Sequence, residues 1–270
     1  MSVAAIAPPG SGSPQLAELV EQGLIGRGAF AGPVGRASER LRSTGVDRVI
    51  PLRPELCPLV PWQGLRRGAT VAVATGGEQR PVVTPGAAGS TSLLLALLTE
   101  AVRAGSWCGV VGVPALGAAA AAEQGIDLGR LALVPYPGTE WVTVAAALLD
   151  GLDIVVVCPP GPVAPALARR LAARAKQRGG VLVSYGGWDG AEVTLRVAGQ
   201  VWHGLGAGRG RLRARELDVV SYGRGAAART RRVRLRLPEH PGNPTQPDLA
   251  PHPLTAAPDP EVAEAVGAAS

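Results

Sequence analysis

Between Ala69 and Tyr185 the chain repeats one pattern: a short apolar run, a turn bearing glycine or proline, then an alanine- and leucine-rich segment with helical spacing. The runs "ATVAVAT", "WCGVVGV", "LALVPY", "DIVVVC" and "VLVSY" are apolar along their whole length, not at every second position. A strand of that kind is buried on both faces, and strands alternating with helices build parallel βαβ units. The repeat therefore predicts an α/β fold, a mostly parallel sheet with helices on both faces. Helices are expected at "STSLLLALLTEAVRAG", capped by a hydroxyl residue and stopped at Gly105, and at "ALGAAAAAEQG". Two more are expected at "TEWVTVAAALLDG", with Thr139 as cap, and at "VAPALARRLAARAKQRGG", ending at Gly179.

After Trp188 the period changes to two. "EVTLRV", "GRLRARELDVV" and "RRVRLRL" alternate and are separated by glycine-bearing turns, which predicts an antiparallel meander on the edge of the parallel sheet. The organisation expected is thus a core over 62–188 and an arginine-rich β extension over 189–237. A small-residue flexible start over 1–15 leads into a helical arm and proline-punctuated connector over 16–61, with short helices at "LAELVEQGL" and "ASERLRSTG". The segment 238–270 is proline-rich and acidic, and is expected to be a disordered tail carrying at most a short helix at "PEVAEAV".

Charge is unevenly placed. The formal net charge is +6, yet Arg209, Arg211, Arg213, Arg215, Arg224, Arg229, Arg231, Arg232, Arg234 and Arg236 meet only Glu216 and Asp218 in the same stretch. Such a cluster suits nucleic acid or an acidic protein surface. Lys176 is the only lysine, a bias of composition that removes arginine richness as a signal by itself. Cys57, Cys108 and Cys158 are isolated, and three histidines at 203, 240 and 252 do not join them in any ligand spacing. Reduced cysteines, no bound metal and a cytoplasmic location are the expectation, with nucleoid association on DNA damage as an option. No apolar run approaches the ~18 residues of a membrane span, and the start lacks a basic or apolar leader.

The segment "TPGAAGSTSLLLALL" looks like a phosphate-binding loop entering a helix. In G-x-x-x-x-G-K-[ST], backbone N–H groups wrap the phosphates, the lysine neutralises charge and the hydroxyl holds magnesium. Laid over this stretch, the first glycine becomes Thr84, the second is Gly89, the lysine becomes Ser90 and the hydroxyl is Thr91. Gly86 and Gly89 keep the tight turn onto a helix N-terminus. The charge is missing.

Around that loop, "GLRRGATVAVA" resembles the lead-in to the phosphate loop of bacterial RecA recombinases, and "GIDLGRLALVPY" resembles their helix-to-strand turn. "LARRLAARAKQRGGVLVS" is similar to the helix and strand before their second DNA-binding loop. The likeness runs from about Trp62 to Trp188, interrupted by an insertion, "TGGEQRPVVT", expected as a small hairpin. In the register of the resemblance, the water-activating glutamate falls near Val113 and Pro114, the magnesium-supporting aspartate at Cys158 and Pro159, and the nucleotide-sensing glutamine among Gly186 and Gly187. Phosphoryl transfer needs charge neutralisation, a metal and a positioned water together. The resemblance therefore implies a chain without catalysis, for which ATP and magnesium are not expected as cofactors.

With the terminal block "VWHGLGAGRGRLRARELDVVSYGRGAAARTRRVRLRLP", the whole resembles the actinobacterial ImuA′ family, RecA-like accessory proteins of the mutasome related to the division inhibitor SulA. That resemblance implies a scaffold in damage-induced (SOS) translesion synthesis. Its implied partners are an ImuB-type Y-family-like protein and, through it, an error-prone C-family DNA polymerase. Two alternatives stay open: a working RecA-type ATPase with an atypical loop and a cation such as Arg80, and a SulA-like inhibitor of cell division. Direct DNA binding is a further one, argued from the arginines. Along their strands Arg211, Arg213 and Arg215 share one face, as do Arg232, Arg234 and Arg236, so pairing would gather six guanidinium groups into one basic plate. Arg170, Arg174 and Arg178 form a second basic stripe on a helix, and Trp202 is a candidate to stack on a base or anchor a partner. The oligomeric state is not legible.

Overall fold

The computed structural model describes residues 49–75, 89–206 and 209–237. Eight strands form one sheet: β1 (Thr70–Ala74), β2 (Cys108–Val111), β3 (Leu131–Val134), β4 (Ile154–Val157), β5 (Val181–Tyr185), β6 (Val193–Gly206), β7 (Arg209–Gly223) and β8 (Arg231–Leu237). The helices are α1 (Ser90–Arg103), α2 (Ala118–Glu123), α3 (Trp141–Leu149) and α4 (Pro165–Arg178). The strand order is β8-β7-β6-β1-β5-β4-β2-β3. β1 to β5 are mutually parallel, β6 runs parallel to β1, and β7 and β8 continue as an antiparallel meander. The expected fold class, an α/β fold with a mostly parallel sheet, helices on both faces and an antiparallel extension, is the fold the chain has.

Two apolar clusters lie on the two faces of the sheet. The first spans it entirely, joining Leu93, Leu94, Leu97 and Leu98 of α1 to Val71 and Val73, Val181 and Val183, Val193 and Leu195, Leu217 and Val219, and Leu235 and Leu237. The connector enters the same cluster through Ile50, Leu52, Leu56 and Leu59, and Arg231 fastens it by donating to the carbonyls of Pro58 and Val60, both at 3.1 Å. The second cluster packs α3 and α4 against Val111, Ala132, Val134, Val155, Val157 and Leu182. Among the described residues none of β6, β7 or β8 belongs to it. The alternating sequence of those strands thus has its physical cause: one face of them is core and the other is not.

A buried ion pair closes the end of the sheet where the parallel strands begin. Arg67 Nη1 donates to Asp153 Oδ1 at 2.9 Å and to the Gly179 carbonyl at 3.2 Å, while Asp153 Oδ2 accepts from the backbone N–H of Trp107 at 2.9 Å. Four chain segments meet there.

Two capping expectations are corrected. The residue ahead of α1 is Gly89, in the left-handed region at φ 102°, and no side chain caps the helix. The residue ahead of α3 is Glu140, reached through a 3₁₀ turn over Gly138–Glu140, so Thr139 lies within that turn. In both places a tight backbone turn delivers the chain, and at α1 it leaves the Ser90 hydroxyl for Tyr185. The flexible start, the two short helices of the arm, the hairpin past Thr75 and the tail from Pro238 lie outside the described residues.

Candidate functional site

The turn into α1 is where a phosphate loop would act. Thr84 and Gly86 lie outside the described residues. Gly89 is needed sterically as well as conformationally: a Cβ there would sit 2.7 Å from Leu217 Cδ2 and 3.3 Å from Val197 Cγ1. The turn is therefore seated on β6 and β7, and joins the two halves of the sheet. Ser90, in the lysine position, is buried, and its Oγ lies 2.9 Å from the hydroxyl of Tyr185. Thr91 Oγ1 lies 2.9 Å from the same hydroxyl. Tyr185, itself buried at the end of β5, thus engages both side chains that a magnesium–phosphate site would present. What the sequence suggests as an open loop is a three-hydroxyl lock holding α1 to β5.

The neighbouring strand ends carry no acid where the RecA resemblance would place one. After β2 come Gly112, buried Val113 and Pro114; after β4 come Cys158 and buried Pro159; after β5 come Gly186 and Gly187. A Cβ on Gly112 would meet the Cys158 carbonyl oxygen at 2.5 Å, so the chain leaving β2 lies directly against the chain leaving β4. Burial pushes the Cys158 thiol above its ordinary pKa, so it is protonated at neutral pH and supplies no negative charge for a cation. Among the described residues no three His, Cys, Asp or Glu side chains gather as a metal site, and no helix is long and apolar enough to cross a membrane.

The arginines do not form the expected single plate. Cross-strand partners share a face, and Arg215 is opposite Leu237 and Trp202, on the α1 side with Leu217 and Leu235. Arg234 is opposite Asp218 and Arg236 opposite Glu216, on the other side. Arg215 and the Arg232, Arg234 and Arg236 set are therefore on opposite faces of the sheet. Arg232, Arg234 and Arg236 do share a face along β8, but register between strands, which a single strand does not encode, decides which faces coincide. The side chains of Arg211 and Arg213 lie outside the described residues.

On the α1 side, Arg215 stacks over the Trp202 ring at 4.4 Å, donates through Nε to Gln200 Oε1 at 2.8 Å and through Nη1 to Ser92 Oγ at 3.0 Å. Burial lowers its pKa from the ordinary guanidinium value. Trp202 thus packs against an arginine of its own chain, and Arg215 brings a cation to the first turn of α1 with its donors already engaged. On the outer side, Arg232 forms a bidentate pair with Asp218, Nε to Oδ1 at 2.6 Å, and Arg234 pairs with Glu216 at 3.1 Å. The helical stripe is also partly neutralised. Arg174 makes a bidentate pair with Asp150 at 2.8 and 2.6 Å, Arg178 joins it at 3.1 Å, and Arg170 stands exposed. These contacts tie α4 to the end of α3.

Sequence reasoning misses Tyr185, Gln200 and the Arg67–Asp153 clamp. A signal existed for the clamp, since Arg67 and Asp153 are charges set directly against apolar strands in "RRGATVAVA" and "LDIVVV". For Tyr185 the sequence holds no such signal, since strand order alone brings the end of β5 beside the start of α1.

Residues 58–190 match the family described as the MT3502 N-terminal domain. Over 171 residues the chain is 39% identical to the uncharacterized protein Rv3395c of Mycobacterium tuberculosis, an alignment covering 61% of this chain and 82% of that protein. Among solved structures, the flagellar accessory protein FlaH from Methanocaldococcus jannaschii aligns with a TM-score of 0.42 and 9% identity, over 70% of this chain and 93% of that one. At that level of likeness it bears no further argument. Identity of 39% over most of the mycobacterial protein does, and the chain belongs to the MT3502 N-terminal domain family together with Rv3395c.

Proposed function

We propose that this chain is a non-catalytic RecA-like accessory protein that acts as a scaffold in damage-induced translesion DNA synthesis. It binds a Y-family-like polymerase homologue and, through it, an error-prone C-family polymerase, and turns over no nucleotide of its own. The observation that carries the reading is the lock at the start of α1: Ser90 replaces the lysine, and its hydroxyl and that of Thr91 are turned onto Tyr185. The strand ends around it supply Val113, Pro114, Cys158 and Pro159 where phosphoryl transfer needs carboxylates. A fold that keeps the packing of an NTPase and loses its charges is suited to binding proteins. Arg215, the cation at the first turn of α1, is engaged by Gln200 and Ser92 and does not restore the missing charge.

Two measurements test this. The purified chain with ATP and magnesium is expected to give no phosphate release above buffer; turnover abolished by Gly89→Asp would sink the claim. A tagged chain is expected to co-purify with a Y-family-like polymerase homologue from its own cells after DNA damage, and to bind it when both are purified. Failure of the pure components to associate overturns the partner assignment.

A further inference from the structure

We propose that the ends of β2, β3 and β4, with the turn after β5, form an uncharged apolar surface that takes one apolar helix of a protein partner. The inference deepens the scaffold reading and rests on it for the existence of a protein partner. It starts from what these loops lack. Residues 112–117, 135–139, 158–164 and 186–188 contain no Asp, Glu, Lys, Arg or His, in a chain of which 18% is charged. Proline recurs in their place, at Pro114, Pro135, Pro137, Pro160 and Pro162, with Tyr136 and Trp188 among them.

The loops make one surface because β3, β2, β4 and β5 are neighbours in that order. Their exits are bonded to one another: the Gly112 N–H donates to the Val134 carbonyl and the Cys158 N–H to the Val111 carbonyl, both at 2.9 Å. Pro114, Pro135, Pro160 and Pro162 are exposed, and Tyr136 is 78% exposed. Trp188 is half-buried, with one side against the cluster of α3 and α4. Covering such groups strips water from no charge, and proline has no N–H to leave unpaired. Proline also fixes φ, so docking has little backbone freedom left to remove. Protein interfaces have centres poor in charge and rich in aromatic residues, within a polar rim. A rim is present, since the first charged residues beyond the loops of β3 and β5 are Glu140 and Asp189, both exposed.

Charge and size select the occupant. A nucleic-acid backbone needs cations to bind, and these loops have none. The strand ends span about 14 Å, three strand spacings. That is half the ~28 Å side of a square holding the ~800 Å2 that each partner gives to a standard interface. A helix with its side chains is about 10–12 Å across. The surface therefore fits one partner helix, apolar where it touches and carrying cations beyond that to meet Glu140 and Asp189. It is too narrow for a second copy of the whole chain.

The test measures binding of the purified Y-family-like homologue to the full chain as wild type, Tyr136→Asp, Pro162→Asp and Tyr222→Asp. Tyr136 and Pro162 are exposed, so both variants are expected to keep the wild-type urea midpoint. Each is expected to weaken binding about tenfold or more, as loss of an interface anchor does. Tyr222, 44% exposed on the antiparallel extension, controls for placing a carboxylate on an exposed aromatic position, and that variant is expected to bind as the wild type does. Unchanged affinity in both Tyr136→Asp and Pro162→Asp overturns the surface and leaves the scaffold reading standing. Absence of binding by the wild type overturns the scaffold reading, and this surface with it. A loss in Tyr222→Asp equal to that in Tyr136→Asp marks a general effect of added charge and overturns the assignment. So does dimerisation of the wild type, seen by sedimentation velocity, that Tyr136→Asp abolishes, because the occupant would then be a second copy.

Discussion

The two halves of the sheet share one core face and differ on the other. β2 to β5 are sandwiched, with the cluster that holds α1 on one side and α3 and α4 on the other, and their strands are apolar throughout. β6 to β8 pack against α1 and the connector on one side only, and their other side carries Arg232, Arg234, Arg236, Glu216 and Asp218. The halves also differ in where charge is spent. In the parallel half, beside exposed pairs within single turns such as Arg103 with Glu100, two pairs fasten separate segments through a buried carboxylate: Arg67 with Asp153, and Arg174 with Asp150. In the antiparallel half they lie on an exposed face. On the readings proposed above, the strand ends where a RecA-like enzyme works have lost their charge and become a docking surface, and exposed charge is left to the lateral face of the extension.

The sharpest way to break this contrast is to remove an internal fastener. Asp153→Ala leaves the Arg67 guanidinium, whose side chain is 9% exposed, without its carboxylate and frees the Trp107 N–H. Removing one partner of a buried pair costs about 3–5 kcal/mol. Urea unfolding should show that loss as a lower midpoint at constant m-value; a loss near zero would mean that this end of the sheet is solvated and that the two halves hold charge alike. Next in size is the joint between them. Gly89→Ala forces a side chain into a backbone at φ 102° and against Leu217, for about 1–3 kcal/mol. An unchanged midpoint would show that α1 is not seated on β6 and β7 through this turn.

How much of this was legible followed the physics of each half. Apolar runs such as "DIVVVC" and "VLVSY" name buried strands outright, because burial on both faces leaves no alternative pattern. The period-two arginines of β8 likewise announce a one-sided strand. What "GRLRAR" and "RRVRLRL" do not contain is their mutual register, so the pairing of Arg234 with Asp218 and the separation of Arg215 from the β8 arginines appear only when the strands are aligned. The loop was legible by its losses, Thr84 and Ser90. Its replacement was not, since the hydroxyl contacts of Tyr185 with Ser90 and Thr91 span separations of 95 and 94 residues.

Tyr185→Phe tests whether that replacement matters. It removes the one hydroxyl shared by Ser90 and Thr91 and leaves the buried Ser90 with a lost partner. A net cost of about 1–2 kcal/mol is expected, with faster amide exchange confined to the first turn of α1. If exchange there is unchanged, the lock is incidental, and the closed state of the strand ends rests on packing alone.

The smallest effect belongs to the exposed face. Arg232→Ala is expected to leave the urea midpoint unchanged within error, because an exposed ion pair is screened by water and salt. Its consequence is local. The hydrogen bonds from Arg232, aided by the charges of Arg232 and Arg234, hold the Asp218 carboxyl below its ordinary pKa. A carboxylate depressed in the folded state contributes stability above its unfolded pKa and loses it as pH falls through the folded value. In the variant the Asp218 titration midpoint, followed by its carboxyl carbon-13 shift, should therefore rise toward the ordinary range while the global midpoint at neutral pH stays put. A rise confirms a surface pair that orders charge without holding the fold. A fall in neutral-pH stability comparable to that of Asp153→Ala would erase the difference between the two halves, and with it the argument that the charges of the outer face are no part of the packing.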